Sequence, residues 1–172
     1  ITSVAVDKAS SVYVSGYTLG STTHIASGTY ENFYTGDIDA FIVKYNKGGR
    51  RIWSSYFGGF SADIAHHCIT DDNNNVYLAG QTNSVAYISS FGAQNNLGGG
   101  QDAFIAKLDK HGMPVWSSYY GGSGVDKGSG CAVDAAGNVY LIGSTTSTNN
   151  IASSGFQNTN SGAGDAFVVK FN

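Results

Sequence analysis

The stretch DIAHH, residues 63–67, is the most suggestive grouping of chemically able side chains in the sequence. One carboxylate and two imidazoles are ligand types that zinc and related ions take. Adjacent side chains of an extended segment point to opposite faces, however, so His66 and His67 cannot turn to the same ion. One repeat later, residues 126–130 read DKGSG, which keep the acid and lose both histidines. The pattern therefore reads as polar decoration of a recurring turn, and no metal is expected. Asp63 and Asp126 hold matching places, and each is expected to accept bonds from the N–H groups of a Gly-rich turn. DDNNN, residues 71–75, starts like a calcium loop but lacks the Gly at the sixth position and the distal Glu. Asp7, Asp71 and Asp134 are instead expected to cap tight turns. There is no Gly-x-Ser-x-Gly elbow and no P-loop, and no spacing of Ser, His and Asp singles out a triad. The expectation is a protein that is not an enzyme and takes no cofactor.

These residues sit inside a repeat, and the repeat decides the fold. DAFIVKYNKGGRRIWSSYFGG, residues 39–59, returns as DAFIAKLDKHGMPVWSSYYGG, residues 102–122, and begins again as DAFVVKFN at residue 165. A second phrase recurs beside it: VAVDKASSVYVSGYT at 4–18, CITDDNNNVYLAGQT at 68–82 and CAVDAAGNVYLIGST at 131–145. Each unit reads as four strands, a to d. Strand a is short, at 4–7, 68–71 and 131–134. A polar turn with residues tolerant of positive φ leads to strand b. A long Ser/Thr/Gly/Asn-rich loop leads to strand c, the Asp-Ala-Phe phrase. A second tight turn leads to strand d with Trp53 or Trp116, whose recurrence favours packing of the outer strand over a sugar platform.

Alternation along strand c is informative. Phe104, Ala106 and Leu108 share one face; Ala103, Ile105 and the stem of Lys107 share the other. A strand apolar on both faces belongs to a sheet sandwiched between other sheets. Four-stranded sheets stacked in series, one per repeat, describe an all-β β-propeller. The expected blades span 1–59, 65–122 and 128–172, the third without its outer strand. That is about 2.75 blades, short of a closed ring, with roughly 300–400 Å² of apolar sheet bare at each end. The expectation is a part of a longer polypeptide, or of a propeller closed by other chains.

Bulk composition agrees. The chain of 172 residues is 41% hydrophobic and only 12% charged, with 24 Gly and a single Pro, which suits strands joined by many turns. A net charge of −3 without a concentrated basic face excludes the electrostatic footprint of a nucleic-acid binder. No apolar run approaches the roughly 18 residues of a membrane span. Cys68 and Cys131 occupy equivalent places in neighbouring units, too far apart for a disulfide, and read as small buried side chains.

DAAGNVYLIGST, GGGQDAFIAKLDKHG and VWSSYYGGSGVDKG resemble the SBBP family of bacterial β-propeller repeats. The a–b hairpin is also similar to that of NHL-type propellers, which implies that strand a is innermost and d outermost. The resemblance implies an exported or bacterial cell-surface, extracellular setting and a repeat module without shared chemistry. There are departures. The first unit has KASS at the Gly-Asn turn, and the Ala-Phe-Gln of the b–c loop becomes GFQ at 155–157, FGAQ at 91–94 and TYE at 29–31.

In such a fold the long b–c loops and the d–a turns emerge on one face, and the tight turns on the other. Binding surfaces sit on loops held by a rigid scaffold. The candidate ligand-binding residues are therefore Tyr30, Phe33, Tyr34, Phe60, Asp63, His66, Tyr87, Phe91, Asp126 and Phe156, with His24 beside them. Exposed aromatics among them suit protein or glycan recognition. A protein partner, or further blades of the same propeller, is the leading expectation. A carbohydrate-binding propeller is the alternative, and an enzyme the least favoured reading.

Overall fold

A computed structural model describes residues 1–20, 25–26 and 36–172. The described residues form strands and turns without a helix: β1 (Ser3–Val6), β2 (Val12–Leu19), β3 (Ile38–Tyr45), β4 (Arg51–Phe57), β5 (Asp63–Thr70), β6 (Val76–Thr82), β7 (Asp102–Leu108), β8 (Pro114–Tyr120), β9 (Asp126–Val133), β10 (Val139–Thr145) and β11 (Asp165–Phe171). Accordingly, no helix among the described residues is long and apolar enough to cross a membrane. Three antiparallel sheets result, in the orders β1-β2-β3-β4, β5-β6-β7-β8 and β9-β10-β11. Sequential neighbours pair throughout, as in propeller blades; the three sheets do not close into a ring.

Register repeats with the sequence. Gly16 faces Phe41, Gly80 faces Phe104 and Gly143 faces Phe167 across the β2–β3, β6–β7 and β10–β11 pairs. The a–b turns end on a positive φ at Ser10, Asn74 and Gly137, and the c–d turns use Gly49 and Gly112 in the same region. The capping carboxylates behave as their positions require. Asp7 accepts from the Ser11 N–H at 2.7 Å, Asp71 from Asn73 and Asn75, and Asp134 from Ala136 and Asn138.

Strands β5 and β9 correct one expectation. β5 starts at Asp63 and β9 at Asp126, well before the segments 68–71 and 131–134 read from the sequence. DIAHH and DKGSG show no apolar alternation, so nothing local marks them as strand. Pairing with β6 and β10 extends them, with irregularities at Ala65/His67 and at Ile142/Gly143 where the ladder absorbs an extra residue. His66 is thus a strand residue, hydrogen-bonded to Gln81 at 3.2 Å, and does not lie on a loop. His67 faces the third sheet, where its Nδ1 accepts from the Cys131 N–H. His66 is the extra residue of the ladder, so the strict alternation expected of this pair is interrupted there, and the two imidazoles are set apart by their partners, Gln81 and Cys131.

The cores lie between sheets. Tyr13, Ile42, Trp53 and Phe57 of the first sheet meet Leu78, Phe104 and Leu108 of the second. The other face of the second sheet, with Tyr77, Ala103 and Ile105, meets Cys131, Leu141 and Phe167 of the third. β7 is therefore buried on both faces, as its sequence predicts. At about 25 cal/mol per Å² of apolar surface, such two-sided burial is the main favourable term holding the sheets together. Trp53 is buried edge-on to Tyr13, and its Nε1 donates to the Lys110 carbonyl at 3.1 Å. Both cysteines are buried and unbridged. On the faces turned away from the second sheet, Val4, Val6, Ile142 and Val168 remain exposed.

Candidate interaction surface

The turn between β4 and β5 and the loop between β6 and β7 are locked together by one carboxylate. Asp63 Oδ2 accepts from the Gly59 N–H and from Ser84 Oγ, both at 2.8 Å. Ser84 Oγ in turn accepts from the Ser61 N–H. Asp126 repeats the arrangement one sheet on, with the Gly122 N–H at 2.8 Å and Ser147 Oγ at 2.7 Å. The turn glycines allow the approach: a Cβ on Gly59 would stand 2.5 Å from the Ala86 carbonyl oxygen and 2.7 Å from Ser84 Cβ. Burial pushes the Asp63 carboxyl up to about 6, against the bonds from Thr82, Gly59 and Ser84, with a smaller upward push from the charge of Asp39. Both aspartates are fully buried. They build the surface from beneath and do not lie on it.

The loop between β6 and β7 is tied down at several points. Ile88 is buried in the core between the first two sheets. Ser90 exchanges backbone hydrogen bonds with Ser117 of β8. Tyr119 Oη donates to the Ser84 carbonyl at 2.9 Å. Gln94 donates through Nε2 to Asp102 Oδ2 at 2.7 Å, and its Oε1 accepts from the Gly121 N–H at 3.0 Å. Gln157 makes the matching bond to Asp165 in the third sheet. The Gln of the degenerate Ala-Phe-Gln phrase is thus the residue that ties the second and third of these loops to the start of strand c, β7 and β11. The sequence carries that signal at FGAQ and GFQ, but its purpose shows only in space.

On this fixed loop Tyr87 and Phe91 point outward, 69% and 93% exposed. Tyr87 has φ 68° and Phe91 φ 54°, a left-handed conformation that bulky side chains rarely adopt. Phe60, 66% exposed on the neighbouring turn, meets Tyr87 edge-on with ring centroids 5.3 Å apart. The carboxylate lock therefore brings two aromatics from separate segments into one solvent-facing pair, with Val85 also exposed on the same loop. Phe156 is fully exposed on the corresponding loop of the third sheet. There it borders a groove of about 1150 Å³ lined also by Tyr120, Asn149, Asp165 and Lys170. Tyr30, Phe33, Tyr34 and His24 lie outside the described residues.

Among the described residues no three His, Cys, Asp or Glu side chains gather as metal ligands would.

Comparison with known proteins agrees with this architecture. The SBBP profile, described as a beta-propeller repeat, matches residues 52–85 and 115–151. Each match runs from the last strand of one sheet through the first two strands of the next, so it includes the Asp63 or Asp126 turn. The chain is also similar to an uncharacterized WD repeat-containing protein of Acanthamoeba polyphaga mimivirus, 28% identical over 131 residues. That alignment covers 73% of this chain and 9% of the viral protein. Two segments of the chain, residues 52–85 and 115–151, are therefore similar to the beta-propeller repeat of the SBBP family.

Proposed function

We propose that the chain is a non-catalytic propeller module that binds a protein partner through the face carrying Phe60, Tyr87 and Phe91. The observation that carries this reading is the exposed Phe60–Tyr87 pair, held 5.3 Å apart by two separately anchored segments. Aromatics fixed on a rigid support present large contact area at little entropic cost, and such residues dominate binding hot spots. The left-handed Tyr87 and Phe91 add support, because backbone strain is retained where a side chain must be aimed. The two SBBP-type repeat matches and the resemblance to a WD repeat-containing protein favour an interaction module of the same broad kind. The partner surface that fits is apolar, because the pair offers ring edges and faces. An exported setting, implied by the family resemblance, belongs to the same reading.

The test is site-specific photo-crosslinking. A benzoyl-phenylalanine at position 91 is expected to capture one defined protein, and Phe60→Ala to abolish that capture. The same probe at Ser10, on a tight turn, is expected to capture none. Equal capture from both positions, or a glycan-array signal that depends on Tyr87 with no protein capture, overturns the reading.

A further inference from the structure

We propose that the seam between β7 and β9 binds a hard cation of the calcium class between the carboxylates of Asp102 and Asp126. Both residues are completely buried, 0% exposed. Their Oδ2 atoms already hold donors: Asp102 accepts from the Gly98 N–H and Gln94 Nε2, Asp126 from the Gly122 N–H and Ser147 Oγ. The Oδ1 atom of each has no hydrogen-bond partner. Buried polar atoms are nearly always satisfied, so two orphan carboxylate oxygens in one seam need an explanation. The two groups also lie on either side of Gly121, with Asp126 approaching through Oδ2. A Cβ on Gly121 would stand 2.5 Å from Asp102 Oδ1 and 2.7 Å from Asp126 Oδ2.

The charge balance points the same way. The recurring acids of the a–b turns have lysine partners: Lys44 for Asp7, at 3.5 Å, and Lys107 for Asp71, at 3.9 Å. Among the described residues no Lys, Arg or His forms an ion pair with Asp102 or Asp126. Burial, and to a smaller extent the Asp126 charge, raises the Asp102 carboxyl despite its bonds to Gly98 and Gln94. Two buried like charges without a counter-ion are costly, and a divalent cation neutralises both at once. The chemistry of the surroundings selects the cation. The β8–β9 turn brings the carbonyl oxygens of Gly122 and Gly124 to 2.8 and 2.5 Å from the Cβ position of Gly99, beside the backbone that holds Asp102. Carboxylate and main-chain oxygens together suit calcium rather than zinc. The motif recurs one sheet earlier: Asp63 Oδ1 is also buried without a partner, beside Asp39. Recurrence in the repeat makes an accidental rotamer a poor explanation.

The chain itself, stripped of metal with a chelator, provides the test. About 1 mM calcium at neutral pH is expected to raise its Tm by at least about 2 °C, because a ligand that binds only the folded state stabilises it. Terbium is expected to give tyrosine-sensitised luminescence that calcium competes away; Tyr120 adjoins Gly121 in the seam. Asp102→Asn and Asp126→Asn keep the volume and an acceptor oxygen, and each is expected to remove one ion from the stoichiometry measured by equilibrium dialysis. The luminescence and dialysis of the unsubstituted chain require no variant to fold. No terbium or calcium binding, with stability instead rising as pH falls from 7 to 5 in chelator, would mean that the pair shares a proton, and the proposal fails. It fails equally if the variants fold and bind as many ions as the parent.

Discussion

Tyr77 Oη donates to Asp71 Oδ2 at 3.1 Å, across a hairpin in which the two residues stand six positions apart. The same closure occurs between Tyr140 and Asp134 at 3.0 Å and between Tyr13 and Asp7 at 3.3 Å. Lys107 sits over the Tyr77 ring at 5.2 Å from its centroid, and Lys44 over Tyr13 at 4.8 Å. Strand c is thereby tied to the a–b hairpin by a carboxylate, a phenol and an ammonium stacked together. Tyr77→Phe keeps the ring and the cation contact and removes only the hydroxyl. A hydrogen bond to a charged acceptor is worth about 1.5–3 kcal/mol. The substitution is expected to lower stability by about 1–2 kcal/mol, since Asn75 still serves Asp71, and Tm by about 3–6 °C in thermal unfolding.

The same hairpins set the acid response. Burial alone would raise the Asp71 carboxyl, but bonds from Asn75, Tyr77 and Asn73 outweigh it and hold the group below its usual value of 3.8. Asp7 is lowered likewise, with Ser11 and Lys44 outweighing burial. A carboxylate lowered on folding contributes stability that is present above the unfolded value and lost as pH falls through the folded one. Asp71→Asn is therefore expected to lower Tm at pH 7. Its Tm curve should converge with that of the parent as pH drops below 3.8. A constant gap across that range would show that Asp71 acts through shape alone.

The Asp-Ala-Phe and Trp-Ser-Ser phrases announced strands c and d because Phe104, Ala106 and Leu108 alternate with Ala103 and Ile105, and two-sided apolarity needs two neighbouring sheets. The turns were legible from their Asn and Gly, although the first unit uses Ser10 at the same positive φ. The starts of β5 and β9 were not legible. Residues 63–67 and 126–130 are strand only because β6 and β10 offer a ladder to them. Candidate site residues fared according to burial. Phe60 and Tyr87 come together, a contact between a turn and a loop that no spacing in the chain encodes. Asp63 and Asp126 recur in register with their turns, and the turn-capping role read from that recurrence is the one they fill. The Asp-to-Tyr closure had a plain signal, an acid six residues before each Val-Tyr tyrosine, but its chemistry depends on a hairpin folding back on itself.

Gly122 tests the coupling between turn and loop. A Cβ there would stand 2.8 Å from Ser147 Cβ and would collide with the Asn149 carbonyl, so the turn or the loop must shift. Overpacking of this kind costs about 1–3 kcal/mol. Gly122→Ala is expected to destabilise the third sheet within that range. Hydrogen exchange should show faster opening of the Ser123 and Gly124 amides, which now donate to Asn149 and Ser147. Unchanged protection at those amides would show that the carboxylate of Asp126 alone fixes the turn.

Phe91 separates a binding role from a structural one. Its ring is almost wholly exposed and its backbone left-handed, so the side chain contributes little burial while its conformation costs about 1–2 kcal/mol. Glycine adopts that conformation freely but loses about 0.5–1 kcal/mol of chain entropy on folding. Phe91→Gly is therefore expected to leave stability unchanged or raise it by up to about 1 kcal/mol, read as Tm. Under the proposed function the same substitution removes an anchor from the contact surface, and truncating such an anchor weakens binding by about 2 kcal/mol or more, roughly thirtyfold in Kd. A variant that melts at or above the parent temperature and loses its partner assigns Phe91 to recognition. A variant that melts several degrees lower assigns the ring to holding the loop in place.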